Sequence, residues 1–220
     1  MTRSPWLLPA LATVLAAAAA LAACGPAAPS AALLHPPAQM PAAPATYTVA
    51  FQTTRGPFTV AVHRAWAPLG ADRFYYLVKN GYYTGAAFFR VVPGFVVQWG
   101  VAANQKVNQA WENAAIPDDP VVASNTLGMI CFAKAGPNTR TTQVFINFRD
   151  NSRLDKMGFA PFGQVTQGMN VVDELYGGYG DFAPRGHGVD GRLLDSGGDA
   201  YLRKAFPKMD RIQSVTVSSQ

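Results

Sequence analysis

The first 46 residues hold 17 alanines and one charged side chain, Arg3, so any sizeable folded domain must be built from residue 47 onward. Arg3 precedes an apolar run from Trp6 to about Ala22, interrupted only by Pro9 and Thr13, and the run exits through Leu21-Ala22-Ala23-Cys24. A short basic start, an apolar stretch and a small-residue exit describe a secretory signal peptide. The run is slightly short for a stable membrane span, which leaves an uncleaved anchor as the alternative.

Leu-Ala-Ala-Cys resembles the bacterial lipobox, which implies cleavage before Cys24 and a diacylglyceryl group on its thiol. Ordinary cleavage after a nearby alanine would instead leave a soluble secreted protein. Gly25 stands where an aspartate would retain a lipoprotein at the inner membrane. An extracytoplasmic protein, on the periplasmic face of the outer membrane in a two-membrane bacterium, is therefore expected. Gly25 to Thr46 carries 6 Pro and 8 Ala among 22 residues and no Asp, Glu, Lys or Arg. Such a stretch reads as an extended tether. The expected organisation is a signal peptide at 1–23, a lipidated cysteine and tether at 24–46, and one domain at 47–220.

These segments explain why only 14% of the chain is charged, against about 25% in typical soluble proteins. The net charge of +5 is dispersed, with like-charge runs no longer than pairs such as Arg203-Lys204, so no nucleic-acid partner is expected. Two cysteines exclude a disulfide-dense scaffold and a four-thiolate zinc site. Cys131, in the apolar run Gly128–Ala133, reads as a buried inert thiol.

From Tyr47 the pattern changes. Tyr47–Gln52 and Phe58–His63 alternate around Thr54-Arg55-Gly56-Pro57, which predicts a hairpin. Pro68 opens a helix whose buried face is Ala71, Phe74, Leu77 and Val78, with Gly81 at its end. Ala87–Val92 and Phe95–Gln98 predict two strands around Pro93-Gly94. Further strands are predicted at Leu127–Ala133, Gln143–Asn147 and Phe162–Val165, and a second helix from about Met169 to Tyr176. Residues 177–200, with 8 Gly among 24, read as a long loop. A helical turn at Tyr201–Phe206 and a last strand around Ile212, Val215 and Val217 follow. Six or more strands without regular helix alternation predict an antiparallel sheet or barrel.

Metal ligands are thinly spread. His35, His63 and His187 share no ligand spacing with each other or with Cys, so no metal is expected. Gly177-Gly178-Tyr179-Gly180 follows a helix instead of opening one and reads as a turn, not a phosphate loop. The adjacent pairs Asp118-Asp119 and Asp173-Glu174 read as surface or capping residues. What remains is Phe88-Phe-Arg-Val-Val-Pro-Gly-Phe-Val-Val-Gln-Trp-Gly100. There Arg90 interrupts an apolar strand, and Gln98 lies across the turn as a candidate acceptor. On the residues alone, a structural arginine satisfied by backbone carbonyls is equally compatible.

That stretch resembles the signature of the cyclophilins, the cyclosporin-binding peptidyl-prolyl cis-trans isomerases. Two further blocks resemble the family in order and spacing. They are Phe132-Ala-Lys-Ala-Gly-Pro-Asn-Thr139 with Gln143-Val-Phe-Ile146, and Leu154-Asp155, Phe162-Gly163 and Gly168-Met-Asn-Val-Val172. The segments 111–119 and 200–207 resemble a bacterial subgroup with extra loop and helix elements. The resemblance implies a closed eight-stranded antiparallel β-barrel capped by two helices, mainly β in class.

It also implies an enzyme without cofactor, a monomer, that isomerises X-Pro bonds in unfolded or exposed polypeptides outside the cytoplasm. A non-catalytic module that holds Pro-containing segments, as a chaperone or envelope scaffold, is the alternative. Arg90 would address the substrate's prolyl amide and Gln98 would orient it. Phe95, Val96, Phe145 and Leu154 would form the proline pocket, with Phe159 as the counterpart of a pocket-lining His. Gln143 and the main chain at Lys134 would hold the substrate backbone. Ordinary core packing is an equally good account of Phe95, Phe145 and Leu154 by periodicity alone. Phe89 replaces the family's usual His, Trp99 its Gly, Lys134 its Asn, and Val144 an aromatic. Arg153 falls where eukaryotic members carry a Trp that meets cyclosporin, which implies weak cyclosporin binding.

Overall fold

The structure, a computed structural model, describes Met1 and residues 29–219. The expectations for the signal peptide and for Cys24 fall on residues outside that set.

The described chain begins with a four-residue helix, α1 (Ala31–Leu34), and reaches the sheet at β1 (Thr46–Thr53) and β2 (Gly56–His63). These form the expected hairpin, with Thr53 opposite Gly56 across a two-residue turn. Alternation does its ordinary work here: Tyr47, Val49 and Phe51 of β1 and Phe58, Val60 and Val62 of β2 are buried on one face. Helix α2 (Pro68–Lys79) starts on Pro68 and buries Ala71, Phe74, Leu77 and Val78, the face its periodicity marks. Ala67 has no side chain with which to cap it. The Asp119 carboxylate does so from a distance, accepting from the N–H groups of Leu69 (3.0 Å) and Gly70 (2.9 Å). Asp119 is thus a capping residue, but a buried one, paired with Arg140.

The hairpin of β3 (Arg90–Val92) and β4 (Val96–Trp99) sets Arg90 directly opposite Gln98. Next come α3 (Gln105–Trp111), capped by the Asn104 side chain, and β5 (Met129–Phe132). Then follow β6 (Val144–Asn147), a 3₁₀ turn at Ser152–Met157, and β7 (Pro161–Gln167). Short α4 (Met169–Asp173), α5 (Gly191–Ala205) and β8 (Ile212–Ser219) complete the chain.

All eight strands join one antiparallel sheet in the order β3-β4-β6-β5-β7-β2-β1-β8, curled into a half-barrel. The closed barrel expected from the sequence is not what the strand pairing describes. β3 and β8 stand at the two ends without a shared ladder among the described residues. The residues leading into them meet only through a bridge of Ala87 with Arg211 and bonds such as Phe88 N–H to Asp210 C=O, 3.0 Å. The strand predicted from Ala87 accordingly begins at Arg90, and the helix predicted to Tyr176 ends at Asp173.

Two segments differ more deeply from expectation. The glycine-rich 177–200 loop ends early, because Asp190 caps α5 by accepting from the N–H groups of Arg192 and Leu193. α5 survives its glycines by bending: Gly198 has non-helical angles, while Leu194 and Leu202 on either side are buried. They pack with Phe89, Val101, Val189 and Met209 in a second cluster beside the main core.

The tether, over its described part, lies on the domain. Leu33 is buried, and its carbonyl accepts from the Trp111 indole N–H (2.9 Å). Tyr76 donates to the Ala32 carbonyl (3.1 Å), and Ala43 N–H donates to Asp72 (2.8 Å). The physical reason is compositional. An uncharged Ala/Leu/Pro segment cannot form its own core, but it loses little by covering the apolar seam of α2 and α3.

Candidate functional site

Period-two alternation on three neighbouring strands builds the site. Val97 and Trp99 of β4, Ile130 and Phe132 of β5, and Val144 and Ile146 of β6 point into the main core. The intervening Val96, Cys131 and Phe145 therefore point to the outer face, where Leu154 of the 3₁₀ turn joins them in a separate apolar cluster. Phe95, Ala133 and Phe159 pack against its edge. Above it is a groove of about 380 Å³ lined by Phe95, Val96, Ala133, Phe145, Leu154 and Phe159 and by Arg90, Gln98, Lys134, Phe182 and Arg185. A larger cavity of about 590 Å³ lies beneath Pro36–Met40 and contains none of these residues.

The polar side of the groove is a connected chain. Arg90 Nε donates to Asp181 Oδ1 at 2.7 Å, and Arg90 Nη1 donates to Gln98 Oε1 at 3.0 Å. Gln98 Nε2 then donates to Gln143 Oε1 at 2.9 Å. The direction follows from the chemistry. Arginine only donates, so Gln98 must offer its oxygen to Arg90 and its amide N–H groups to Gln143. Gln98 is only 5% exposed and satisfied at both ends, as a buried amide must be. The guanidinium carbon stands 5.5 Å from the Phe95 ring centroid and 5.2 Å from that of Phe182. Burial by itself would raise the Asp181 carboxyl. Hydrogen bonds from Arg90 and the Phe182 N–H, with the positive charges of Arg90 and Arg185, outweigh burial and hold it below the usual carboxylate range.

The structure thus brings Arg90, Phe95, Val96, Gln98, Lys134, Phe145, Leu154 and Phe159 to one groove. Gln143 lines an adjoining hollow of about 240 Å³ shared with Gln98, Lys134 and Phe182. Phe159 meets Phe145 edge to face, ring centroids 5.6 Å apart. The Lys134 ammonium is turned aside: it pairs with Asp118 at 2.8 Å and lies 5.5 Å over the Phe159 ring. Arg153 stands over the Phe95 ring at 4.9 Å. Cys131 lies under the groove floor, fully buried, with its thiol donating to Asn125 and burial pushing its pKa up. Among the described residues no group of three His, Cys, Asp or Glu side chains is gathered for a metal.

The sequence reading missed Phe182 and Arg185 of the lining and Asp181, the partner of Arg90. All sit in the glycine-rich segment 177–200, read as a long loop. The available signal was Arg90 itself, a charge on an apolar strand for which Gln98 alone supplies no counter-charge.

Comparison with known proteins agrees with this architecture. The family model for cyclophilin type peptidyl-prolyl cis-trans isomerase matches residues 48–184. A peptidyl-prolyl cis-trans isomerase of Acinetobacter baylyi is 33% identical over 132 residues, which is 58% of this chain and 70% of that protein. Peptidyl-prolyl cis-trans isomerase-like 1 of Aspergillus niger is 32% identical over 130 residues, 58% of this chain and 80% of that one. The crystal structure of a Cryptosporidium parvum cyclophilin type peptidyl-prolyl cis-trans isomerase superposes with a TM-score of 0.58 at 17% identity. It covers 80% of this chain and 99% of its own. The same protein crystallised in the presence of the dipeptide Ala-Pro gives a TM-score of 0.56.

Proposed function

The chain belongs to the cyclophilin-type peptidyl-prolyl cis-trans isomerases and accelerates rotation about X-Pro bonds, and we propose that Arg90 is the residue that lowers the barrier. That barrier, about 18–20 kcal/mol, is the resonance lost when the amide twists. As resonance is lost the lone pair localises on the prolyl nitrogen, and a guanidinium N–H aimed there binds the twisted state better than either planar one.

One observation carries this assignment. Of the five N–H bonds of a guanidinium, Asp181 takes the one on Nε and Gln98 takes one on Nη1. Nη2 has no acceptor among the described residues, and Arg90 lines the groove. The proline ring would sit on Val96, Phe145 and Leu154, walled by Phe95 and Phe159. Desolvation there favours the twisted amide, which has less charge separation than the planar one. Gln143 and the Lys134 main chain would hold the flanking peptide. A charged hydrogen bond contributes about 1.5–3 kcal/mol, or about one to two decades in rate; the pocket and the backbone contacts supply the rest.

The clients are unfolded or exposed extracytoplasmic chains, in which proline isomerisation takes tens of seconds unaided. Arg3, the apolar run and Leu-Ala-Ala-Cys24 support export and lipid anchoring. Arg153 at the rim supports weak cyclosporin binding. A protease-coupled proline-isomerisation assay on the full chain, beside Arg90→Ala, tests the assignment. A ten- to hundredfold loss in the variant is expected, whereas equal activity in both proteins would refute it. A non-catalytic holder of Pro-segments would show neither activity nor that loss. Cys24→Ser is expected to release the protein from membranes; retention there would instead indicate an uncleaved anchor.

A further inference from the structure

The structure assigns Asp181 as the positioning residue for Arg90: the glycine-rich segment after α4 is a built wall of the groove that fixes the orientation of the guanidinium. This inference rests on the proposed role of Arg90 and deepens it.

Two supports act on Arg90 through two of its nitrogens. Gln98, from its own hairpin, accepts from Nη1 at 3.0 Å, and Asp181 accepts from Nε at 2.7 Å. One acceptor leaves the fork free to swing about that bond. Acceptors on two different nitrogens define its plane and leave Nη2 without an acceptor among the described residues. Phe182, the next residue of the segment, and Phe95 both bring their rings to the guanidinium, with centroids 5.2 and 5.5 Å from its carbon.

The wall holds its shape. Asp181 Oδ1 also accepts from the Phe182 N–H at 2.8 Å, which locks the carboxylate against its own backbone. The main chain folds back on itself: Gly186 N–H donates to Phe182 C=O at 2.8 Å, and Gly188 N–H donates to Asp181 C=O at 2.9 Å. A Cβ at Gly186 would collide with the Asp181 carbonyl, and one at Gly188 would stand 2.6 Å from it. These glycines permit close approach, and flexibility is not their role. A bridge of Gly180 to Val91 ties the segment to β3, the strand of Arg90. Phe182 packs on Phe89 with ring centroids 6.0 Å apart, and Val189 is buried in the same cluster. Phe89, a departure from the family pattern, is thus the apolar seat of this wall.

A carboxylate on Arg90 has two opposed effects. It orders the side chain before substrate arrives, and it drains positive charge from the group that must answer the lone pair. The short, doubly bonded geometry places the balance on ordering. Asp181→Ala removes both effects, while Asp181→Asn keeps the Oδ1 acceptor and removes the charge.

The test measures kcat and KM separately in the full chain for wild type, Asp181→Asn, Asp181→Ala, Arg90→Ala and the Arg90→Ala/Asp181→Ala double variant. Thermal midpoints and the Arg90 Nε–H NMR signal, assigned by its loss in Arg90→Ala, are recorded alongside. Asp181→Ala is expected to lower kcat about tenfold with KM within about twofold, and to broaden the Nε–H signal. Asp181→Asn is expected to retain kcat within about threefold of wild type. In the Arg90→Ala background, removing Asp181 is expected to change nothing further. An unchanged or raised kcat in Asp181→Ala would overturn the assignment. So would the same tenfold loss persisting without Arg90, which would mark a structural role. If Arg90→Ala were as active as wild type, the role given to Arg90 would fall first. An Nε–H signal unaffected by either Asp181 substitution would overturn the pairing by itself.

Discussion

Arg90→Lys separates charge from geometry at the centre of the groove. The substitution keeps the positive charge but replaces a planar fork by a single nitrogen. In the wild type the fork meets Asp181 at 2.7 Å and Gln98 at 3.0 Å on two different nitrogens, and leaves a third without an acceptor among the described residues. A lysine ammonium reaching Asp181 cannot also hold Gln98 and address a prolyl nitrogen from the same position. The loss is therefore one charged hydrogen bond realised in the twisted state, about 1.5–3 kcal/mol, or about ten- to hundredfold in kcat/KM. Because the missing bond is made in the twisted state, the loss falls on kcat with KM little changed. Folding suffers much less, since a partly exposed ion pair contributes at most about 1 kcal/mol. The assay is proline isomerisation at saturating and subsaturating peptide, with a thermal melt of each protein. A lysine variant within threefold of wild type would show that any cation suffices, and would refute the geometric account.

Three further outcomes follow from the same structure. Leu33→Ala removes a side chain that is 5% exposed at the seam of α2 and α3; a stability loss of about 2–3 kcal/mol is expected. It is read as a lowered thermal midpoint with a shift in Trp fluorescence, and an unchanged midpoint would show the strap to be an idle tether. Asp118, Asp155 and Asp181 have depressed pKa values: burial works against each, but hydrogen bonds prevail, joined at Asp118 and Asp181 by neighbouring cations. Their stabilisation is complete above the ordinary carboxylate range and is lost as pH falls through the depressed values, so urea midpoints are expected to drop below about pH 4. A flat profile from pH 5 to pH 2 would contradict this. Arg153→Trp is expected to tighten cyclosporin binding by calorimetry, because an uncharged indole would replace the guanidinium now standing over Phe95; equal affinity would remove Arg153 as the cause.

Much of this protein was legible as sequence wherever a local rule decides the outcome. Alternation in β1 and β2, and the Pro68 start with its 3.6-residue face in α2, depend on neighbours within one element, and both appear as expected. The Arg90–Gln98 pairing was legible for the same reason, since a short turn at Pro93-Gly94 sets the register of its own hairpin. β4, β5 and β6 were harder. They are buried on both faces, so alternation cannot tell the core side from the groove side, and only the curl of the sheet assigns Val97 to one and Val96 to the other.

The remaining decisions belong to tertiary structure alone. An uncharged N-terminal stretch reads as a tether until Trp111 and Tyr76 offer donors to its carbonyls. A run of glycines reads as flexible until the chain folds back on its own carbonyls and delivers Asp181 to an arginine 91 positions earlier. Composition determined that residues 1–46 could not make a core of their own and that one charge on an apolar strand required an explanation. Which residue answers that charge was decided by a contact between segments far apart in sequence, and no local propensity encodes such a contact.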